Sequence, residues 1–229
     1  MNKFTAMQST LRVISEGLSV IFHPLLMLTY GLLFLIGSNP YLFGSPYVSA
    51  QKELILLIFI SSFLIPMIAM SLMKALGMVS SLRLPDREER IGPYIMVGIF
   101  YLWLFINVRN QSTIPLAYSV CVLGTVIGLF TGFFINLFDK ISIHGIAMGA
   151  MVLFAFIVRY RFSYGDFILE WPGVFSIHSS LNYLLPLFVL FAGLVMSARI
   201  YLSAHQPKQV YLGFAVGALS MLIASRILL

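Results

Sequence analysis

Ser197-Ala-Arg-Ile-Tyr-Leu-Ser-Ala-His-Gln-Pro-Lys-Gln-Val-Tyr-Leu-Gly213 is a polar interlude between two strongly apolar runs, about Leu184 to Leu202 and Val210 to Leu228. At ~1.5 Å per residue, each run is long enough to cross a hydrocarbon layer of ~30 Å. The interlude is therefore a turn at one edge of a membrane. Arg199 and His205 lie in it, where an ionisable group is costly to bury and has a job or a partner.

The rest of the chain has the same character. Of its 229 residues, 60% are hydrophobic and only 10% charged, and the mean hydropathy is +0.97. That composition belongs to an integral membrane protein and not to a soluble domain. The formal charge of +6 does not point to nucleic acid, because no basic run interleaved with polar residues is present to follow a phosphate backbone. The positive charges read as loop anchors or as ligands for a small anion. A single cysteine, Cys121, lies in an apolar run and excludes an intrachain disulfide framework. No cleavable secretory signal is expected, since a long polar lead precedes the first apolar stretch.

In chain order, Met1 to Gly17, carrying Lys3, Arg12 and Glu16, is expected to form a short interfacial helix. Leu18 to Gly37 is the first span, with His23-Pro24 inside it, and Pro24 should kink the helix or mark its true start. Ser38 to Glu53 reads as a loop, Leu54 to Leu76 as the second span, and Ser80 to Pro93 as the most charged loop. Tyr94 to Val108, Pro115 to Phe138 and Ile141 to Tyr160 are the third to fifth spans. Arg161 to Ser180 is a longer loop containing Trp171-Pro172-Gly173 and His178, with aromatic residues suited to the interface. The fold class expected is all-α: one domain, 1–229, a polytopic transmembrane bundle of six to seven helices. No internal repeat is evident.

If all seven segments cross, the Ser80 to Pro93 loop, the Lys140 junction and the Ser203 to Gln209 turn fall on one face, because two spans separate each from the next. The three richest polar clusters then meet. Their contents suit an anion: Arg83, Arg90 and Arg199 offer guanidinium forks that match phosphate oxygens. Ser142, His144 and His205 add a hydroxyl and two imidazoles able to move a proton or attack phosphorus.

The spacing of these residues resembles the type 2 phosphatidic acid phosphatase superfamily of membrane lipid phosphatases. That family's first motif is a basic residue, six residues, then Arg-Pro; here Arg83 precedes Arg90 at this spacing, with Pro93 three positions further on. Its second is Pro-Ser-Gly-His, of which Ile141-Ser142-Ile143-His144 keeps the serine and histidine. Its third is Ser-Arg, five residues, His, three residues, Asp. Arg199 and His205 match it in spacing, while Ala198 and Gln209 stand for the serine and the aspartate. The motifs keep the family's order across Arg83 to Gln209.

The resemblance implies a phosphoric ester hydrolase acting on a phosphorylated membrane lipid. Residues matching Arg83, Arg90 and Arg199 hold the phosphate, with a hydrogen bond from Ser142. His205 attacks phosphorus to give a phosphohistidine, and His144 protonates the leaving oxygen. No cofactor is expected: the histidines show no pair at zinc-helix spacing and no acidic cluster would hold magnesium. Gln209 departs from the pattern. On a continuing helix its amide oxygen would accept the His205 Nδ1 proton, fixing the tautomer without the charge of a carboxylate. A slow phosphatase, a lipid-phosphate binder without turnover, and another acid such as Asp139 in the role all stay open, as does a small transporter. A phosphatidate, a phosphatidylglycerol phosphate, a polyprenyl diphosphate and a phosphorylated lipid A are equally compatible. The expected location is a bacterial inner membrane. With the three phosphate ligands set aside, Lys and Arg are spread too evenly between the two faces for the positive-inside rule to orient the chain.

Overall fold

A computed structural model describes residues 3–45 and 47–229, with side chains from residue 7 onward, so that Lys3 lies outside the described side chains. Among the described residues, seven segments are long and apolar enough to cross a membrane. The protein is an all-α, multi-pass integral membrane bundle.

The first crossing is broken where the sequence requires it. Helix α1 (Lys3–Ile21) ends before His23, a single 3-10 turn covers Pro24–Leu26, and α2 (Met27–Ser38) resumes. Pro24 has no N–H to give and takes the first position of a new turn, where none is needed. Helix α1 extends well into the stretch expected to cross, and it lies along the bundle inside out. Its polar residues Ser15 and Ser19 are buried, whereas Leu11, Ile14, Val20 and Ile21 are exposed. A face that apolar is compatible with lipid and not with water.

The second crossing joins α3 (Lys52–Phe59) to α4 (Ile65–Ala75) through a π turn at Ile60–Leu64. Pro66 causes it, since it cannot bond the carbonyl one turn earlier. That carbonyl, Ser62 O, accepts instead from the Tyr101 hydroxyl at 3.0 Å. Four longer helices follow: α5 (Ile91–Asn110), α6 (Leu116–Asn136), α7 (Ile143–Arg161) and α8 (Leu181–Tyr201), before α9 (Pro207–Leu228) closes the chain.

Between α7 and α8 the expected loop is an antiparallel hairpin, β1 (Asp166–Trp171) with β2 (Phe175–Ser180). Pro172 and Gly173 turn it, Gly173 at φ 75° and Val174 N–H bonding Trp171 O at 2.9 Å. Those are the positions a type II turn gives to Pro and Gly. The hairpin packs beside the end of α2, where Phe34 stacks on Phe167, on the side of the bundle away from His205.

Candidate functional site

Glycine brings the two histidine-bearing helix starts together. Helix α7 carries Gly145 and Gly149, and α9 carries Gly213 and Gly217, each pair one turn apart. A Cβ on Gly149 would collide with the Phe214 carbonyl oxygen, one on Gly217 with the Ile146 carbonyl oxygen, and one on Gly145 would lie 2.7 Å from Val210 O. The backbones therefore touch, the close approach that small residues permit between helices in lipid. Glycines 124, 128 and 132 let α6 pack on the same pair. His144, in the first turn of α7, and His205, just before α9, are held at one end of this unit.

Local hydrogen bonds set their orientation. Ser142 caps α7, its Oγ accepting from Gly145 N–H at 3.2 Å, and its own N–H donates to Gln209 O at 3.3 Å. Ser142 is fully buried and does not line the cavity described below, so its place is behind the site, tying α7 to α9. Gln209 and Gln206 form a reciprocal capping box at the start of α9. The Gln209 Oε1 accepts from Gln206 N–H at 3.2 Å and lies 3.2 Å from His205 Nδ1. An oxygen can only accept, so Nδ1 carries the proton and Nε2 keeps its lone pair. The contact arises from a cap and not from a continuing helix, because α9 begins only at Pro207.

The arginines come from separate elements. Arg90, nearly fully buried, donates from Nε to Leu84 O at 2.9 Å and from Nη1 to Ile141 O at 3.2 Å. It thereby clamps the charged loop to the α6–α7 junction. Arg199 donates from Nη1 to Ser19 Oγ at 3.3 Å, and its buried Nε has no hydrogen-bond partner among the described residues. Arg83 is exposed and reaches Glu16 at 3.7 Å. His144 Nε2 stands 3.1 Å from Ser19 O, and since a carbonyl only accepts, this nitrogen holds a proton. Helix α1 thus engages Arg83, Arg199 and His144 through Glu16 and Ser19.

Arg83, Arg90, Arg199, His144 and His205 all line one cavity of about 160 Å³. The loops that segment counting places on one face do meet. Asp139 stays outside: it pairs with Lys208 at 3.9 Å and does not reach His205. Glu89, in the same charged loop as Arg83 and Arg90, accepts from Ser80 N–H and from Ser80 Oγ. His178 is on the exposed face of the distant hairpin. Among the described residues, no group of three His, Cys, Asp or Glu could hold a metal ion.

Sequence reasoning gives His23 no part in the site. It lines the same cavity, its ring 5.9 Å from that of His144, and its Nδ1 accepts from Leu25 N–H at 3.3 Å. The signal was an ionisable residue directly before a helix-breaking proline within a span. Lys140, at the junction expected on the site face, shares a second depression with His205, Ser203 and Gln206.

The electrostatics favour an anion. Burial first, then the Arg90 charge, push the His205 imidazole down to about 3 from 6.5, against the opposing Gln209 hydrogen bond. Burial and the neighbouring Arg90 also lower Lys140. A cluster that resists taking up further positive charge is one that a phosphate would neutralise. No protein-family model, no curated protein and no solved structure matches this chain.

Proposed function

We propose that the chain is an integral membrane phosphatase, of a bacterial inner membrane, hydrolysing the phosphate ester of a membrane lipid through a phosphohistidine on His205. One observation carries this reading: His205 keeps its Nε2 lone pair and lines the same cavity as Arg83, Arg90, Arg199 and His144. Phosphoryl transfer is mostly positioning and charge stabilisation, which three guanidiniums lining one cavity supply.

The Nε2 lone pair attacks phosphorus, and the P–O bond to the lipid breaks. The departing oxygen takes a proton from Nδ1 of His144, whose Nε2 proton stays hydrogen-bonded to the Ser19 carbonyl oxygen. For this His144 starts as the imidazolium, a charge that the dianionic phosphate offsets. Water then attacks the phosphohistidine, gives its proton to neutral His144, and the P–N electron pair returns to His205. Gln209 keeps the Nδ1 proton in place throughout.

A lipid-phosphate binder without turnover is the second reading, favoured by Gln209 standing where a carboxylate would stabilise the imidazolium. Phosphate release from a panel of lipid phosphates in detergent separates the two. Metal-independent release abolished by His205→Ala supports the enzyme. No release from any substrate, with lipid-phosphate binding that survives His205→Ala and His144→Ala, supports the binder.

A further inference from the structure

The cavity does not end at the charged cluster. Behind the arginines it runs into the bundle between α5, α6, α7 and α9, past Val97, Ala147, Ala150 and Met151 to Tyr101 and Met221. Tyr101 lies about 16 Å below Arg90 along α5, at ~1.5 Å per residue. Protein cores keep few voids larger than a water molecule, yet this one opens beside the guanidiniums. Its walls are helices on every side named, and the depression on the other side of His205 is lined by polar and backbone groups of the α8–α9 turn. There is room behind the phosphate site for one apolar chain, and the depression that shares His205 does not continue as an apolar channel.

A polar group marks the neck. Tyr94 follows Arg90 by one helical turn, lines the cavity, and is 3% exposed. Its hydroxyl has no hydrogen-bond partner among the described residues. A buried hydroxyl without a partner is costly unless something else bonds it. Tyr101, deeper in the same wall, is instead satisfied by Ser62 O, so the unpaired donor is found at the charged end of the cavity.

We propose that this cavity is the tail site of a single-chain lipid phosphate, its phosphate at Arg83, Arg90 and Arg199, an oxygen of its headgroup on the Tyr94 hydroxyl, and its chain in the bundle core. The proposal rests on the arginines being the phosphate ligands. It makes chain length a property that the depth of the cavity selects, with Ala147 and Ala150 one above the other on α7 as its gauge.

Binding of non-hydrolysable probes to the full-length protein in detergent tests it without turnover. Octyl, dodecyl and hexadecyl phosphonates and farnesyl phosphonate would be compared with the phosphonate analogue of a diacyl phosphatidate, using the shift in thermal unfolding. Affinity should rise with chain length to a limit, the diacyl analogue should bind no better than the octyl probe, and farnesyl against dodecyl shows whether the chain is isoprenoid or alkyl. Ala150→Phe should move the limit to shorter chains and Met151→Ala to longer ones; the second variant enlarges the cavity and serves if the first fails to fold. Tyr94→Phe should weaken every single-chain probe by about 2- to 10-fold, the worth of one hydrogen bond. A diacyl analogue that binds as tightly as the best single-chain probe, or a length limit that neither variant moves, overturns the proposal. Length-selective binding without phosphate release leaves the tail site standing and removes the hydrolase reading; phosphate release indifferent to Met151→Ala does the reverse.

Discussion

His205 is nearly fully buried and neutral in the folded protein. Its folded value, about 3, lies below the ~6.5 of an unfolded histidine, so as pH falls the unfolded chain binds the proton first. Its contribution to stability is present above about pH 6.5 and is lost as pH falls toward about 3. The unfolding midpoint in detergent should therefore fall less steeply from pH 7 to pH 4.5 in His205→Gln than in the wild type; identical slopes would mean that His205 is not held neutral. Gln209 gives a second test. Its oxygen serves both His205 and the capping box, so a replacement must keep the reach as well as add charge. Gln209→Glu does both and should raise turnover by about tenfold or more, part of the ~10⁴-fold that a comparable carboxylate is worth in a serine protease triad. Gln209→Asp is shorter by a methylene and should gain less. If Glu brings no increase in phosphate release, His205 is oriented by another group.

The helices show what was readable and what was not. The seven crossings follow from apolar runs alone, and Pro24 was legible as a break because proline cannot continue a helix without loss. The contact between α7 and α9 was legible too, in Gly145-Ile-Ala-Met-Gly149 and Gly213-Phe-Ala-Val-Gly217, but a search confined to polar residues passes over it. Position-specific substitution should expose its weight. Gly149→Val places a branched side chain against the Phe214 carbonyl and should destabilise the protein by at least about 2 kcal/mol, in the manner of an overpacked core. It should also separate His144 from His205, so that activity falls further than stability accounts for. Gly193, with nothing close to its Cβ position, is the control: Gly193→Ala should be neutral or slightly stabilising. The role of α1 was not legible, because hydrophobic periodicity finds an amphipathic helix without saying which face turns inward. Since Glu16 faces Arg83, Glu16→Gln should tighten binding of an anionic headgroup, measured as a lower half-saturating concentration of a lipid phosphonate. Weaker binding would mean that Glu16 positions Arg83 for the ligand.

Segment counting places three distant loops on one face, and the bonds from Arg90 to Ile141 O and from Ser142 to Gln209 O join them. The hairpin escaped because its strands are short and Trp171-Pro172-Gly173 marks a turn equally well in a loop. What no local pattern contains is the cavity, which is made of residues from most of the helices and is visible only once they are packed. The arrangement has one consequence for the molecule in its membrane. A single crossing, α8, separates the hairpin from the turn bearing His205, so the two must face opposite compartments. In a Cys121→Ser background, Ser203→Cys and Ser176→Cys should react with a membrane-impermeant maleimide from opposite sides of sealed vesicles, because both positions are exposed and lie at opposite ends of α8. The side on which Ser203→Cys reacts should be the side on which the proposed phosphatase releases its phosphate. Labelling of both from one side would break the count of crossings, and with it the reason why Arg83, His144 and His205 share an edge.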